Sequence, residues 1–555
     1  MQLMFFEQNA NNILDAICMV NCLNNARFSV GRCLKMPANE NLFAVIEIGT
    51  TSIRMAVAES DGQGGFRVLD TLQQAVQLGR DTFTKALIGQ DTIEESVKAL
   101  RGYKKILAEY GLEDQGKIRA VATSAIREAA NRDEVLDRIF VATGLTVEIL
   151  EDAEISRYTY LAVHKPLKKS GLISHSNLLI MEIGGGSTDM LTMQKGSVGN
   201  TEVFKVGSYR IRRAIEDYNV PESRLRQVMR GHVERAAGGI HMGIGGDISS
   251  PLLLVLGGDA RFAAGIISTT WDKKDIIKIA VADIEKLAGE IIKLEPDDIV
   301  KKYHLSYPDA ETVGPALAVY VDLSKRLGIS DIHVTGATFR EGILHEMVTK
   351  ESWTREFREQ IVSSAMEIGR KYHNEQNHAR FVSSLCKKIF VALQDEHRLG
   401  ARHELILNLA AILHDTGHFI SNRSHHKHSM YIIINSDIFG LGSKDITLVA
   451  LIARYHRKAL PRMDHEFYGT LDRTERVVVN KLASILRIAD TLDSSRALHG
   501  AKFDVKMDDD KMVIAANTDK DLDLEKHALE EESQMFERVY GMKVMLVKDR
   551  SSASE

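Results

Sequence analysis

The sequence predicts an α/β protein in two halves, each opened by a strand–glycine turn–strand unit, followed by an all-helical region and a small α+β unit. Three observations carry that prediction. First, "VIEIGTTSIRM" at 45–55 and "MEIGGGSTDM" at 181–190 share one layout: an apolar run, Glu-Ile-Gly, small hydroxyl residues, then a second apolar run. Second, beyond about Lys350 the strand signals vanish, helical apolar spacing takes over and histidines concentrate. Third, strands return from about Ala501. At 555 residues the chain exceeds what one hydrophobic core supports, so three or four domains are expected.

Residues 1–41 are read as an N-terminal extension of no assigned role, or as an over-extended start, since Met36 sits just before the first strand. They hold Cys18, Cys22 and Cys33 of the four cysteines, with no partnering pair at zinc spacing. They also lack the basic flank and clean apolar core of a signal peptide. In the first half, 42–165, "LFAVIEIG" and "IRMAVAES" pair around the first turn and "FRVLDTLQQAVQLG" extends the sheet. A helix over about 91–110 stops at Gly111, and strand "KIRAVAT", helix "NRDEVLDRIFVATG", strand "LTVEIL" and a helix over about 151–164 complete the half.

The second half, 166–347, opens with "SNLLIMEIGGG" and runs through "TEVFKVGSYRIRRAIEDY", "LLLVLGGDARFAAGI" and "DIHVTGATFREGILHEM". Its start repeats that of the first half, a weak internal duplication. The helical region, 348–500, contains "QNHARFVSSLCKKIFVAL", "HELILNLAAILHDTGH" and "ERVVVNKLASILRIADTLDSS". The last unit, 501–555, reads strand, strand, helix, strand, a small α+β cap.

Composition excludes some functions. Net charge is −5, so a polyanionic ligand needs a local basic lining. No basic-aromatic stripe points to nucleic acid. No apolar run reaches the roughly 18 residues that span a bilayer, so no membrane partner is expected. Cysteine usage fits a reducing cytoplasm.

Glycine lets backbone N–H groups approach a phosphate, and the flanking hydroxyls add donors. The acids at the strand ends, Glu47 and Glu182, are placed to orient water or hold a divalent cation. A lone turn of this kind is usually just a tight hairpin; two of one layout, with "LGGDA" at 256–260, favour a phosphate cleft.

These turns, with "VATSAIREAAN" (121–131) and "GATFREG" (336–342), resemble the exopolyphosphatase/guanosine pentaphosphate phosphohydrolase (Ppx/GppA) family over about residues 42–345 and into the helical region. The resemblance implies two actin-like (ribonuclease H-like) domains that cleave the terminal phosphoanhydride of polyphosphate or pppGpp in the cleft, with Mg²⁺ or Mn²⁺. It implies phosphate binding by Gly49, Thr50, Thr51 and Ser52, by Gly184, Gly185, Gly186, Ser187 and Thr188, and by Arg54 and Arg127. It also implies a homodimer through the helical half. The chain departs from the family pattern at its carboxylates. Glu47 and Glu182 stand where the family usually has Asp, and Asp189 where it has Glu. The family's water-activating Glu aligns with Ile155, with Glu154 beside it, and neighbours on a helix point about 100° apart. Glu47, Glu154, Glu182 and Asp189 are the candidate catalytic residues.

In the helical region His378 is followed 36 residues later by His414-Asp415, and 75 after Asp415 by Asp490. This set resembles the HD phosphohydrolase superfamily, whose ligands converge from separate helices on a divalent metal. Such a metal lowers the pKa of bound water from 15.7 to about 7. His425, His426, His428 and His456 are further candidates for a second metal or for phosphate, while His418 reads as a polar residue at a helix end and His373 as a surface residue. Three readings follow: a Ppx/GppA-type phosphohydrolase; an HD-type metal phosphohydrolase whose α/β half senses nucleotide or polyphosphate; and a non-catalytic alarmone or polyphosphate binding protein.

Overall fold

The computed structural model describes residues 41–112, 114–216, 222–244, 251–349, 355–493, 501–508 and 510–548. The extension predicted for 1–41 lies, but for Asn41, outside them.

Strands β1 (Leu42–Ile48), β2 (Ser52–Ser60) and β3 (Phe66–Ala75) form an antiparallel meander, and β4 (Ile118–Ala122) and β5 (Val147–Ile149) add in parallel beyond β1, giving the order β3-β2-β1-β4-β5. The apolar run of β1 is buried almost throughout, as expected of a central strand covered on both faces. The second half repeats this start with β6 (Leu178–Ile183), β7 (Thr188–Gln194) and β8 (Ser197–Phe204). It adds β9 (Leu252–Leu256), β10 (Ile277–Ala280) and β11 (Asp331–Val334), in the order β10-β11-β9-β6-β7-β8. The helices Arg355–Lys371, Gln376–Ala392, Ala401–Leu413, His425–Ile434, Ser443–Arg454 and Arg473–Thr491 follow. Finally β12 (Lys502–Asp508), β13 (Lys511–Asn517) and β14 (Lys543–Lys548) form a sheet whose buried Met512 and Ile514 join the same core as those helices.

Three elements differ from the sequence reading. The helix expected to end near 164 spans Asp152–Ser170 and contains Pro166. Leu167, fully buried, holds that last turn to the core despite the hydrogen bond Pro166 cannot donate. The strand read through "FRVLDTLQQAVQLG" stops at Ala75, and a helix, Leu78–Lys85, begins within it. The unassigned stretch before β11 folds as the helices Val281–Ile291, Pro296–Tyr303 and Tyr307–Arg326.

One late helix, Phe339–Thr349, returns to the first sheet. Phe339, Ile343 and Leu344 share an apolar cluster with Val45, Val121, Ile155 and Tyr158. Gly342 lies so close to the Tyr158 carbonyl that any Cβ would collide with it. Beside it, buried Glu346 accepts from the Tyr158 hydroxyl (2.7 Å) and from Arg119 (2.8 Å), and pairs with Arg157. Among the described residues no helix is long and apolar enough to cross a membrane.

Candidate functional sites

The two glycine turns are geometrically equivalent. The Gly49 N–H donates to the Ser52 carbonyl (3.0 Å) and the Gly184 N–H to the Ser187 carbonyl (2.8 Å). The strand registers match as well: Glu47 pairs across the hairpin with Arg54, and Glu182 with Asp189. The turns meet face to face. A Cβ built on Gly185 would fall 2.9 Å from Thr50 Cβ, and one on Gly186 2.5 Å from Ser124 Oγ. Glycine is therefore what allows the backbones this close. Together the turns line a cavity of about 120 Å³ that also takes in Glu47, Arg54, Glu182, Asp189, Asp259 and Ile155.

Charge in this cavity is unevenly matched. Burial would raise the Glu47 carboxyl, but its ion pair with Arg340 and the Arg54 guanidinium at 3.6 Å outweigh burial and hold it below the usual range. Burial pushes Glu182 up, with Glu47 adding to the effect. Burial, then repulsion from Asp152 and Glu182, pushes Asp189 up to about 8. Burial and Asp309 push Asp259 up to about 7. Asp189 Oδ1 is buried with no hydrogen-bond partner. An orphaned carboxylate oxygen among under-neutralised acids is what a hard divalent cation fits, so Glu182, Asp189 and Asp259 are the residues able to hold one.

Several residues expected at the site are engaged elsewhere. Glu154 accepts the Glu151 N–H (3.0 Å), closing a capping box at its helix start, and lies against Gly442 of the helical region. It does not line the cavity; Ile155 does, only 7% exposed. Arg127 is drawn away by Asp152 and by the Leu150 carbonyl (2.6 Å). The Thr188 hydroxyl donates to the Val206 carbonyl (2.5 Å), and Ser52 is buried beneath its turn. Sequence reasoning quoted "LGGDA" and "GATFREG" without singling out Asp259 or Arg340. Both line a second cavity of about 540 Å³, with Arg54, Arg261, Lys273 and Lys274. Asp259 and Arg54 belong to both cavities. This supplies the local basic lining that the net charge requires.

In the helical region the expected ligands converge. His378 Nε2 and His414 Nε2 are 3.1 Å apart, and each lies 3.3 Å from Asp490 Oδ1. Asp415 Oδ2 is 3.5 Å from His378 Nε2 and 3.6 Å from His414 Nε2. Each ring is oriented from behind: His378 Nδ1 by Asp493 (2.5 Å) and His414 Nδ1 by the Ala411 carbonyl (2.8 Å). His414 is fully buried, which lowers its pKa, yet Asp415 and Asp490 outweigh burial and push it up to about 9. Burial pushes His456 down to about 3 and His425 to about 4.

His418, read from sequence as a bystander, belongs to the cluster. The helix ends at Leu413, and the tight turn Thr416–Phe419 swings His418 Nε2 to 3.4 Å from Asp415 Oδ1. His425 and His456 also reach this side, whereas His428 is half-buried and makes no described contact with the cluster. His426 sets its ring against those of His425 and His456. The signal for His418 was its place three residues after Asp415.

The chain matches the model of the Ppx/GppA phosphatase family over residues 56–351 and that of Ppx/GppA phosphatase domain III over 359–536. It is similar to a guanosine-5'-triphosphate,3'-diphosphate pyrophosphatase of Aeromonas hydrophila, 23% identical over 486 residues, covering 86% of this chain and 92% of the relative. A protein of the same name from Pseudoalteromonas translucida is 21% identical over 470 residues, covering 82% and 88%. Among solved structures, it is similar to an Aquifex aeolicus Ppx/GppA family member (22% identity, TM-score 0.46, covering 56% of this chain and 99% of that one). An exopolyphosphatase from Cytophaga hutchinsonii is also similar (19%, TM-score 0.49, 56% and 98%).

Proposed function

Because the chain belongs to the Ppx/GppA phosphatase family, we propose that it hydrolyses phosphoanhydride bonds of inorganic polyphosphate or guanosine pentaphosphate in the cytoplasm, and that the cleft between its two actin-like halves holds the phosphate chain. The observation that carries this reading is the meeting of two equivalent glycine turns over one acid-lined cavity. Turn N–H groups and the hydroxyls of Thr50, Thr51 and Ser187 donate to phosphate oxygens, each charge-assisted bond contributing about 1.5–3 kcal/mol. Arg54, with Arg261, Lys273 and Lys274 in the adjoining cavity, neutralises the remaining chain charge. Mg²⁺ or Mn²⁺ on Glu182, Asp189 and Asp259 supplies charge neutralisation at the phosphoryl oxygens.

Ile155 cannot take a proton from water, so general-base help in the cleft falls to Glu182 or Asp189. A lost general base typically costs about 10²–10⁴-fold. A second reading therefore has support: an HD-type divalent metal held by His378, His414, Asp415 and Asp490 performs the hydrolysis, and the cleft binds substrate without cleaving it. It is favoured by a converged ligand set in one site and an isoleucine at the other's expected base position.

Phosphate release from long-chain polyphosphate, pppGpp and ppGpp, with Mg²⁺ and Mn²⁺ supplied separately, separates the readings. Loss in Asp189→Asn with retention in Asp490→Ala assigns the chemistry to the cleft. The reverse pattern assigns it to the helical site. Saturable binding with no release by the wild type returns the chain to a binding protein.

A further inference from the structure

We propose that Arg210 is a positioning residue of the cleft: it holds the second glycine turn in shape and latches the two α/β halves together over it. The inference rests on the reading of that cleft as the phosphate site, and adds to it which side chain sets the turn and how the halves close.

Peptide planarity supplies the first argument. In a trans peptide the C=O and the following N–H point opposite ways, so whatever holds a carbonyl also aims an amide. The Gly184 carbonyl accepts from the Ser208 N–H (2.9 Å), and the Gly185 carbonyl from the N–H groups of Tyr209 (3.1 Å) and Arg210 (3.3 Å), all at the start of the helix Ser208–Glu216. Gly207 permits this approach, since a Cβ there would collide with the Gly185 carbonyl. The Gly186 carbonyl accepts instead from the Arg210 side chain, with Nε at 2.6 Å. Successive carbonyls are thus held on one side, and the N–H groups of Gly185, Gly186 and Ser187 are turned to the other. Among the described residues none of these N–H groups has an acceptor, and their residues line the cavity. The helix start aims the first two, and the Arg210 side chain aims the third.

The second argument is where the rest of that guanidinium goes. Its Nη2 donates to Glu128 Oε2 at 2.6 Å, and its Cζ sits 3.8 Å from the centre of the Phe83 ring. Both partners belong to the first half: Phe83 to the helix Leu78–Lys85, and Glu128 to the "SAIREAAN" stretch that follows β4. Phe83 reaches the turn as well, for a Cβ on Gly186 would fall 2.6 Å from its Cζ. One side chain therefore joins the second turn to two elements of the facing half. The planar fork of arginine makes these contacts at once, whereas lysine offers a single point charge and no face to stack.

The contact is built to break. The side chains of Arg210 and Glu128 are 25% and 28% exposed, so water and salt screen the pair. Separating the halves removes the Glu128 and Phe83 contacts together and lets the fork swing off the Gly186 carbonyl. Closing them restores all of these contacts, so the Ser187 amide is aimed only when the first turn stands opposite. A phosphate chain between the halves then meets two turns set by one event.

The test uses the full chain with Cys18, Cys22 and Cys33 replaced by Ser, Cys386 being buried and out of reach of label. Spin labels on Lys98→Cys and Lys286→Cys, exposed positions on one helix of each half, report the distance between halves by pulsed EPR without ligand. With arginine at 210 the distribution should be narrow, and Arg210→Ala should broaden it and add a longer component. An unchanged distribution overturns the latch. Calorimetric titration with a defined-length polyphosphate reads the positioning. Arg210→Ala, its fold checked by circular dichroism, should bind at least tenfold more weakly. Arg210→Lys keeps the charge facing Glu128, so it should restore the distance while binding stays at least threefold weak. Unaltered affinity in Arg210→Ala, or full rescue of affinity by lysine, overturns the role at the turn. In a Glu128→Ala background Arg210→Ala should cost a smaller factor than it does alone, and equal factors overturn the coupling of turn to latch. If the chain with arginine at 210 binds neither polyphosphate nor pppGpp, the cleft reading and the role at the turn fall together, and the distances still decide the latch.

Discussion

A single methyl group tests whether the two turns work as one clamp. Gly185→Ala places a Cβ 2.9 Å from both Cβ and Cγ2 of Thr50 and 3.3 Å from its hydroxyl. Ordinary carbon contacts begin near 3.5 Å, so the turns must separate by roughly half an ångström. Thr50 is buried and β-branched, so it has little room to rotate away. Overpacking of this kind costs about 1–3 kcal/mol. If binding needs the turns in contact, that cost appears in affinity, and at 1.4 kcal/mol per tenfold polyphosphate should bind about 5–150-fold more weakly. Fluorescence or calorimetric titration with a defined-length polyphosphate measures it. The control is Gly102→Ala, on a helix where an added Cβ meets nothing within 4 Å; it should leave affinity unchanged. The sharper measurement is a double-mutant cycle with Thr50→Gly, which removes the atoms being struck. Gly185→Ala should then cost less than half as much in the Thr50→Gly background. Equal costs in both backgrounds, or wild-type affinity in Gly185→Ala, would refute the clamp.

Three further outcomes follow from the same geometry. Asp189, pushed up to about 8, keeps in the folded chain a proton that the unfolded chain has lost, so metal-free stability should fall as pH rises from about 4 to 8. Asp189→Asn should flatten that decline and stabilise the chelated protein at pH 8 by about 3 kcal/mol, discounted from the full shift because the carboxyl opens on the cavity; thermal melts in chelator at pH 5 and 8 check this. Arg340→Ala strips Glu47 of its nearest cation and should cost about 3 kcal/mol at neutral pH. Because Glu47 sits below its usual range, the deficit should shrink as pH falls and the carboxyl protonates, which urea unfolding at pH 7 and 4 will show. Asp493→Ala frees the His378 ring from behind, and the affinity of the His378–His414–Asp490 group for Co²⁺ should drop about 10–100-fold in equilibrium dialysis while the fold, followed by circular dichroism, persists.

What the sequence made legible was local. Both glycine turns, their acids and the His-Asp pair announce themselves within ten residues because apolar runs, glycine and hydroxyls sit side by side. What it hid was long-range. Arg340 lies 293 positions from the Glu47 it neutralises, and no spacing rule reaches that far. Arg127 was expected on phosphate by its motif, but its ion pair with Asp152 depends on where a later helix begins. Glu154 and Ile155 show the limit most plainly. A helical period says they point apart, while only the capping box and the packing around Ile155 decide which one faces the cavity. His418 was set aside because a histidine at a helix end is ordinary, and only the tight turn after Leu413 brings it to Asp415.

The return of the helix Phe339–Thr349 to the first sheet bears on how the chain is made. Tyr158 is the last buried residue of the early segment whose apolar cluster that helix completes, and Phe339 emerges roughly 180 residues later. At about 5–20 residues per second, a ribosome leaves that face of the first sheet only partly covered, by the helix Asp152–Ser170, for on the order of 10–40 s. The first half is thus continuous in space but interrupted in time, and its last piece arrives only after the whole second half has been synthesised.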